Sequence, residues 1–403
     1  MAQSNKYIIT YVDEITKFYF FSRFDFIFRK KGFRLCIMTN RISIWLQCLR
    51  KSIKCQLIFT TNKNHLEYTA NFQPLEYLGS FLDLADTIRL YNSTYNECIK
   101  LNDKNSIQFS FIFGGISAPT IALKDFSDKF NIGKIFFELS NIPGKMFIDR
   151  LGTNAYSSLY KHPNQLDDFP AVEESEYLKW KNKYTDFKKC ENAPGQAVKI
   201  NKIYWWYFID IIAFYLLRIP KDQNINLLKR IFNKLSFKFQ SDVNASDLSN
   251  VNYLFLPFQV STDSQILIHS NITNEMALRK AQKIARVKNL KLIVKFHPAE
   301  QNTREIKTIK KMGKNSNFYI VSSNTHALVE HATEVITINS SVGLEALILN
   351  KKVQFLGKTF YRNFNHDRLK KYIMKYLINV EYFSQKKISE EIVSEIFERI
   401  ITR

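Results

Sequence analysis

Cysteine, proline and glycine are scarce in this chain of 403 residues, which contains 5, 9 and 11 of them. The cysteines are odd in number and form no Cys-x-x-Cys pair. This argues against a disulfide framework or a zinc ribbon and favours a reducing compartment. The low glycine and proline contents exclude fibrous and low-complexity designs.

Long hydrophobic segments are also missing. The longest apolar run covers residues 203–217 and includes Asp210, which falls short of the about 20 apolar residues that a membrane-spanning helix needs. The first residues lack the basic and apolar regions of a signal peptide. We therefore predict a cytoplasmic protein that is not integral to the membrane. On length alone, the run fits a buried core helix and a helix that docks on a membrane equally well.

Several functional fingerprints are absent as well. No G-x-G-x-x-G or G-x-x-x-x-G-K-[ST] segment marks a dinucleotide or P-loop site. No H-E-x-x-H or G-x-S-x-G segment marks a zinc protease or an α/β-hydrolase. Neither a Cys/His cluster nor an RNA-recognition signature occurs. We therefore expect no bound metal and no cofactor.

Positive charge is in excess, with 58 Lys and Arg against 37 Asp and Glu, a net charge of +21. This surplus favours anionic partners, namely nucleic acid, a membrane surface, or phosphorylated and carboxylated small molecules. A nucleic-acid binder would interleave exposed aromatic residues with lysines. The aromatic residues, 14% of the chain, fall mostly in strand-like or helical apolar patterns, so we predict no nucleic-acid partner.

Short β-rich runs alternate with helical patterns in two parts of the chain, which predicts parallel sheets covered on both faces. We therefore predict an α/β fold with two similar halves that face a cleft. The polar stretch 149–202 is predicted to be an irregular surface connection. The predicted parts are an N-terminal domain at residues 1–195, an aromatic and basic helical connection at 196–250, a C-terminal domain at 251–362 and closing C-terminal helices at 363–403.

Two polar segments follow neighbouring strands of the second half, where an open parallel sheet places its ligand site. Ser340 and Ser341 open a helix, and the hydroxyl and N–H groups of a helix N-terminus bind anions. Gly343 would let a ligand approach the backbone closely. Lys295 and His297 follow the adjacent strand, and we predict that His297 and the serines hold a phosphate together. Plain helix capping and a surface histidine are the alternatives.

Carboxylates occur after strands in both halves. Asp263 lies in the polar segment 259–265 after the first strand of the second half, and Glu138 ends a strand of the first half. One carboxylate from each half can flank a substrate, as glycosyl transfer requires. The alternatives are an Asx turn for Asp263 and an ion pair with Arg or Lys for Glu138.

Four segments resemble the bacterial capsule polysaccharide biosynthesis proteins, the family that includes the Kdo transferases of lipid-anchored capsules. The segments are FFELSNIPGKMFIDRLGTNAYSS (136–158), FLPFQVSTDSQILIHS (255–270), LIVKFHPAE (292–300) and VITINSSVGLEALILNKKVQFLGKTFY (335–361). Their order and spacing also match, and the resemblance covers roughly residues 105–362.

The resemblance implies a GT-B-like fold with two Rossmann-like domains that face a cleft, followed by closing C-terminal helices. The N-terminal domain would bind the acceptor, and the C-terminal domain would bind the CMP-sugar. The resemblance implies a metal-independent, retaining glycosyltransferase that uses a CMP-activated 3-deoxy-2-ulosonic acid, either Kdo or a nonulosonic acid such as pseudaminic acid. Carried over by position, the implied site consists of Asp263 as nucleophile, Glu138 as acid/base, the donor-binding residues Gln259, Lys295, His297, Ser340, Ser341 and Glu345, and the cleft residues Asn154 and Gln265.

The resemblance also implies which part of CMP some of the donor-binding residues would contact. His297 and the two serines would bind the phosphate of CMP, and Glu345 would lie near its ribose or cytosine. The sequence departs from the family pattern at residues 137–139, where many relatives have two acids followed by glycine and this chain has Phe-Glu-Leu. Glu138 is therefore the single acid at that position.

The implied partners are the CMP-sugar, a glycan or glycolipid acceptor, the anionic surface of the inner membrane on its cytoplasmic side, and other capsule assembly proteins. The alternative is a non-catalytic, glycan-binding component of a capsule assembly or export complex. Such a protein would have lost the acids, whereas Asp263, Glu138, His297 and Ser340 are all present.

Overall fold

The computed structural model describes residues 6–66, 72–189, 206–222, 251–314 and 318–401. The chain divides into two compact units. The first unit comprises Met1–Ser158, Val198–Asn226 and Leu377–Arg403, and the second comprises Leu159–Ala197 and Leu227–Tyr376. This division differs from the predicted boundaries in that residues 159–189 pack with the second unit and residues 377–401 pack with the first.

The described residues contain eleven strands, most of them short runs of β-branched, aromatic and other apolar residues. They are β1 (Lys6–Tyr11), β2 (Phe33–Thr39), β3 (Lys54–Leu57), β4 (Ser106–Phe113), β5 (Gly133–Leu139), β6 (Met146–Asp149), β7 (Tyr253–Pro257), β8 (Lys291–Lys295), β9 (Phe318–Ile320), β10 (Glu334–Thr337) and β11 (Lys352–Phe355).

Helices connect the strands and cover the sheets. They are α1 (Ile15–Ser22), α2 (Asp25–Lys30), α3 (Ile42–Arg50), α4 (Leu75–Leu78), α5 (Leu84–Lys104), α6 (Ala118–Lys129), α7 (Ser158–Lys161), α8 (Glu174–Lys189), α9 (Trp206–Leu216), α10 (Ser264–Leu267), α11 (Asn274–Val287), α12 (Thr303–Lys314), α13 (Thr325–His331), α14 (Ser341–Ile348), α15 (His366–Lys371) and α16 (Glu390–Ile401).

Each unit is built on one sheet. The first sheet has the order β3-β2-β1-β4-β5-β6, and the second has the order β11-β10-β7-β8-β9. All pairings are parallel except β5 with β6. Both orders reverse direction at their first strand, which is the Rossmann arrangement, and ligands bind outside the carboxyl ends of the strands at this reversal. The predicted α/β fold with two Rossmann-like domains is confirmed.

The C-terminal segment packs against the first sheet. Val393 and Ile396 of α16 are fully buried in the core of that unit. The ring of Phe397 stacks on Phe109 at 5.2 Å and on Phe28 at 6.1 Å between ring centroids. The predicted closing helices are present, and α16 completes the core of the first unit.

The predicted irregular connection at 149–202 is wrong over residues 174–189, which form α8. Tyr177, Trp180 and Tyr184 lie on one face of this helix, and their rings stack at 5.8 Å and 5.2 Å. Both tyrosines are buried. The helical spacing is visible in the sequence, but the many charged residues between the aromatic positions mask it.

The predicted helical connection at 196–250 lies largely outside the described residues, which include only 206–222 of it. This part contains α9. Among the helices that the structure describes, none combines the length and the apolar character needed to cross a membrane.

Candidate functional site

The carboxyl edge of the second sheet gathers most of the predicted site residues. Gln259 and Asp263 follow β7, His297 follows β8, and Ser340 follows β10. Strands β8, β7 and β10 are neighbours and parallel, so the segments after them leave the sheet at the same edge. The edge includes the reversal of strand order between β7 and β10, where an open α/β sheet binds ligands.

The start of α14 is the candidate anion site. Ser340 caps this helix, since its Oγ accepts a hydrogen bond from the Val342 N–H at 3.1 Å. Its carbonyl oxygen accepts from the Gly343 N–H at 2.9 Å. The N–H of Ser341, at the first helical position, has no acceptor within a helix. The capping alternative therefore holds for Ser340, while Ser341 has the N–H and hydroxyl suited to a ligand.

Gly343 has a packing role. A Cβ at this position would lie 2.2 Å from a ring carbon of Phe355 and 3.1 Å from Cγ2 of Thr337. Both side chains belong to strands of the sheet that α14 covers. The prediction that Gly343 lets a ligand approach is therefore wrong, because the missing side chain makes room for the sheet.

His297 is a neutral hydrogen-bond donor. Its Nδ1 accepts from the Ala299 N–H at 3.1 Å, which leaves the ring proton on Nε2 in the neutral form. Desolvation by the surrounding protein lowers the pKa of His297, and Lys295 lowers it further, while Asp263 and Glu300 act in the opposite direction. The interaction with Asp263 shows that the segments after β7 and β8 lie near each other.

Asp263 caps the short helix α10. Its Oδ1 accepts from the Gln265 N–H at 2.8 Å and from the Ser264 hydroxyl at 3.3 Å. The side chain is exposed. The turn-capping alternative for Asp263 is therefore present in the structure. Both capping hydrogen bonds use Oδ1, and this is compatible with a further role for Oδ2.

Gln259 and Asn339 clamp two strand ends together. The Gln259 Nε2 donates to the Asn339 Oδ1 at 3.0 Å, and the Asn339 N–H donates to the Gln259 Oε1 at 3.1 Å. The Asn339 Nδ2 donates to the carbonyl oxygen of Gln265 at 2.7 Å. Both side chains are buried. Gln259 thus positions the loops, and sequence reasoning missed Asn339, although it stands directly before Ser340.

Lys295 is tied to the loop after β9. Its Nζ donates to the carbonyl oxygen of Ser323 and to Oγ1 of Thr325, the latter at 2.9 Å. Burial lowers the pKa of Lys295, and the nearby Glu345 carboxylate acts in the opposite direction. A partly desolvated cation thus lies at this edge, held beside the segment that carries His297.

Glu345 is buried among protein partners. Its Oε1 lies 2.6 Å from Nδ1 of His326, and its Oε2 lies 3.5 Å from Nζ of Lys188. Burial raises the pKa of Glu345, but the hydrogen bond with His326 and the charge of Lys188 outweigh it and lower the pKa overall. Both oxygens are engaged by the protein. His326 and Lys188, distant in sequence, are partners that sequence reasoning missed.

Glu138 and Asn154 lie in the first unit. Glu138 is half-buried near the carboxyl end of β5, and its Oε1 accepts from the Leu139 N–H at 3.2 Å. Asn154 begins a short 3₁₀ helix with a φ of 52°, a left-handed conformation that asparagine tolerates. The second-unit residues therefore converge at one edge, and these two residues belong to the other unit.

The described parts of the chain contain no group of three or more His, Cys, Asp or Glu side chains that could hold a metal ion. The candidate site consists of serine, histidine, lysine, amide and carboxylate groups, which suit an anionic organic ligand.

Comparisons with known proteins point to capsule biosynthesis. The protein FixF of Sinorhizobium fredii is 34% identical over 121 residues, 27% of each chain. The capsule polysaccharide export protein KpsS of Escherichia coli is 24% identical over 259 residues, 54% of this chain and 59% of that one. The chain therefore spans less than two thirds of the length of these curated relatives.

A solved structure is similar at low identity. It is KpsC of Thermosulfurimonas dismutans, described as a beta Kdo 2,4 transferase, with 15% identity and a TM-score of 0.44 over 75% of this chain and 89% of that one.

The family model for capsule polysaccharide biosynthesis proteins matches residues 143–364. This range includes every candidate residue of the second sheet edge, from Gln259 to Glu345, and leaves Glu138 outside. Because the match extends over more than half of the 403 residues, the chain belongs to the capsule polysaccharide biosynthesis protein family.

Proposed function

We propose that this protein is a glycosyltransferase that moves a 3-deoxy-2-ulosonic acid from its CMP-activated form to a capsule or lipid-linked glycan. The observation that carries the proposal is the grouping of Asp263, His297 and the start of α14 at the reversal of strand order in the second sheet. Family membership and the motif resemblance support the same activity.

The leaving group is CMP, whose phosphate gains negative charge as its bond to the sugar breaks. In the proposal, Nε2–H of His297 and the hydroxyl and N–H of Ser341 donate hydrogen bonds to this phosphate. Lys295 adds positive charge nearby. Such fixed donors stabilise developing charge without reorganisation, so this arrangement supports metal-independent transfer.

Asp263 is the proposed nucleophile. Its carboxylate forms a bond to the anomeric carbon while the bond from that carbon to the phosphate oxygen breaks, and the electron pair leaves with CMP. The acceptor hydroxyl then attacks the same carbon, the bond to Asp263 breaks, and Glu138 takes the hydroxyl proton. Two inversions give retention of configuration.

The donor sugar is proposed by class. The groups assigned to the donor bind the phosphate and the anomeric region, which Kdo and nonulosonic acids such as pseudaminic acid share. The net charge of +21 suits an anionic donor and an anionic glycan. Both donors therefore belong in the assay.

A non-catalytic, glycan-binding role in capsule assembly or export is the second candidate. It is favoured by the similarity to KpsS, a capsule polysaccharide export protein, and by the structural use of Asp263 as a helix cap. Such a protein would bind glycan without releasing CMP from either donor.

Substitution of the nucleophile tests the proposal. Asp263→Ala should lower the rate of sugar transfer at least about 10³-fold and leave CMP affinity within about twofold, because a nucleophile acts mainly in the transition state. Loss of the cap on α10 would itself cost about 1 kcal/mol of stability. Asp83→Ala is the matched control, since Asp83 caps α5 in the same way by accepting from the Asp86 N–H.

The control variant should transfer at the wild-type rate. Mass spectrometry of the wild-type protein with donor alone should also show the sugar attached to the peptide that contains Asp263. Full activity in Asp263→Ala, or a product with inverted configuration, would overturn the double displacement.

A further inference from the structure

Helix α9 is held against the rest of the first unit by buried ion pairs. Asp210 accepts hydrogen bonds from the Ser43 N–H at 2.8 Å and the Ser43 hydroxyl at 2.5 Å, and it lies 3.6 Å from the Arg41 guanidinium. Asp222, which follows the helix, lies 2.8 Å from the same guanidinium. All four side chains are buried, so the segment is anchored from both ends.

The outer face of α9 is apolar. Phe208, Ile212, Tyr215 and Leu216 are 56%, 57%, 68% and 73% exposed. Their spacing of four, seven and eight residues places them on one face of the helix. Ala213 and Phe214 face the opposite way and are buried. The sequence leaves open whether residues 203–217 form a core helix or a helix that docks on a membrane. In the structure, α9 has one buried face and one exposed apolar face.

In residues 206–222, the acidic side chains lie on the buried side and the basic side chains lie on the outer side. The two acids, Asp210 and Asp222, are buried in the pairs with Arg41. Arg218, just after the helix, is exposed. Nζ of Lys221 lies 5.7 Å from the centre of the Tyr215 ring and 3.6 Å from Oδ2 of Asp86. Among the described residues 206–222, the outer side therefore presents apolar side chains bordered by cations.

We propose that this face of α9 docks on the surface of a phospholipid bilayer that contains anionic lipids. A helix that lies in the membrane interface combines an apolar face, which enters the headgroup and acyl boundary, with cations that attract anionic headgroups. The segment 206–222 has both, with Arg218 as its exposed cation, and its own two acids are buried. A net charge of +21 for the chain acts in the same direction.

Vesicle flotation with the full chain tests this proposal. The wild-type protein should float with vesicles of phosphatidylserine and phosphatidylcholine and stay behind with phosphatidylcholine alone. The double variant Ile212→Glu/Leu216→Glu should lower the bound fraction about tenfold, since it places charge in the apolar face. Val287→Glu is the matched control, because Val287 is 85% exposed on α11 of the second unit, and it should bind like wild type.

A milder variant covers the case in which the double glutamate variant fails to fold. Ile212→Ala/Leu216→Ala should fold, as judged by its thermal unfolding, and should still bind vesicles several-fold more weakly. Wild-type binding in both variants, or no binding of the wild type to anionic vesicles, would overturn the proposal. A dimer in sedimentation velocity that these substitutions dissociate would also overturn it, and would assign the face to a second copy. The vesicles carry no glycan acceptor and no CMP-sugar, so the result is independent of the proposed transfer reaction.

Discussion

Most polar side chains at the carboxyl edge of the second sheet have protein partners, and these partners determine what each side chain can offer a ligand. Gln259 and Asn339 bind each other, and Glu345 binds His326 and Lys188. His297 keeps a donor at Nε2, because its Nδ1 accepts from the backbone. We therefore expect substitutions of the first group to act mainly on stability and substitution of His297 to act on ligand affinity.

Loss of a phosphate-binding group should be visible with CMP alone. We predict that His297→Ala and Ser341→Ala each weaken CMP binding by about 1–3 kcal/mol, the usual effect of losing a hydrogen bond to a charged group. Calorimetric titration would measure it. His331→Ala is the control, since His331 is an exposed histidine at the end of α13. Unchanged affinity in both site variants would remove the start of α14 from the CMP site.

Glu76 should give the first unit a pH-dependent stability. Burial raises the pKa of its carboxyl to about 7, although hydrogen bonds from its own N–H and from Ala118 act in the opposite direction. A carboxyl whose folded pKa is raised contributes stability below its unfolded pKa of about 4.5 and loses it as the pH rises through the folded value. The loss for Glu76 is about 2–3 kcal/mol between pH ~4.5 and ~7.

Glu76→Gln should remove this dependence, because the amide keeps an oxygen for the Ala118 N–H and cannot ionise. Urea unfolding at pH 5 and pH 8 would measure the difference. We expect similar stabilities of wild type and variant at pH 5 and a more stable variant at pH 8. Glu173→Gln, at an exposed position, should behave like wild type, and a variant that gains nothing at pH 8 would contradict the assignment.

The sequence predicts individual site residues only in part. That Ser340, His297 and Asp263 follow strands can be inferred from the alternation of apolar runs with helical patterns. The partners of Gln259 and Glu345 cannot, because Asn339 is 80 residues from Gln259 and Lys188 is 157 residues from Glu345. The packing role of Gly343 could not be inferred from the sequence either, because its neighbour Phe355 belongs to the next strand, β11.

At the scale of elements, the fit of α14 on its sheet determines where Ser340 and Ser341 lie. Gly343→Ala should lower the free energy of unfolding by about 1–3 kcal/mol, since the new methyl group overlaps the Phe355 ring and overpacks the interface. It should also weaken CMP binding, because the helix start must move away from the sheet. Chemical unfolding and calorimetry would measure the two effects.

A second substitution separates packing from other effects of alanine at this position. Gly343→Ala/Phe355→Leu should recover part of both losses, because leucine leaves room where the ring stood. If the double variant is no better than the sum of the two single variants, the overlap is not the cause.

Elements were predictable where β-branched, aromatic and other apolar residues form a short continuous run, as in β1, β7 and β10. The pattern failed for α8, because charged residues surround its three aromatic positions. The apolar run 203–217 was expected to be helical, and α9 covers Trp206–Leu216. The pattern also assigned residues 377–401 to a separate part of the chain, whereas Val393 and Ile396 complete the first core. Such long-range packing leaves no local signal in a sequence.

On the scale of the whole molecule, the chain combines two Rossmann-like units, a net charge of +21 and a family match that includes the second sheet edge. The proposed division of work places CMP-sugar binding in the second unit, and it assigns the acceptor base Glu138 to the first. Sugar transfer therefore tests the proposed roles of both units, whereas CMP affinity tests only the role of the second.

The most direct test is CMP release from the two candidate donors. The wild-type protein is incubated with CMP-Kdo and, separately, with CMP-pseudaminic acid, with and without capsule glycan, and free CMP is measured over time. We predict CMP release from one of the two donors that rises with added glycan and is absent in Asp263→Ala. A well-folded protein that binds the glycan but releases no CMP from either donor would contradict the proposed transferase and leave the glycan-binding role.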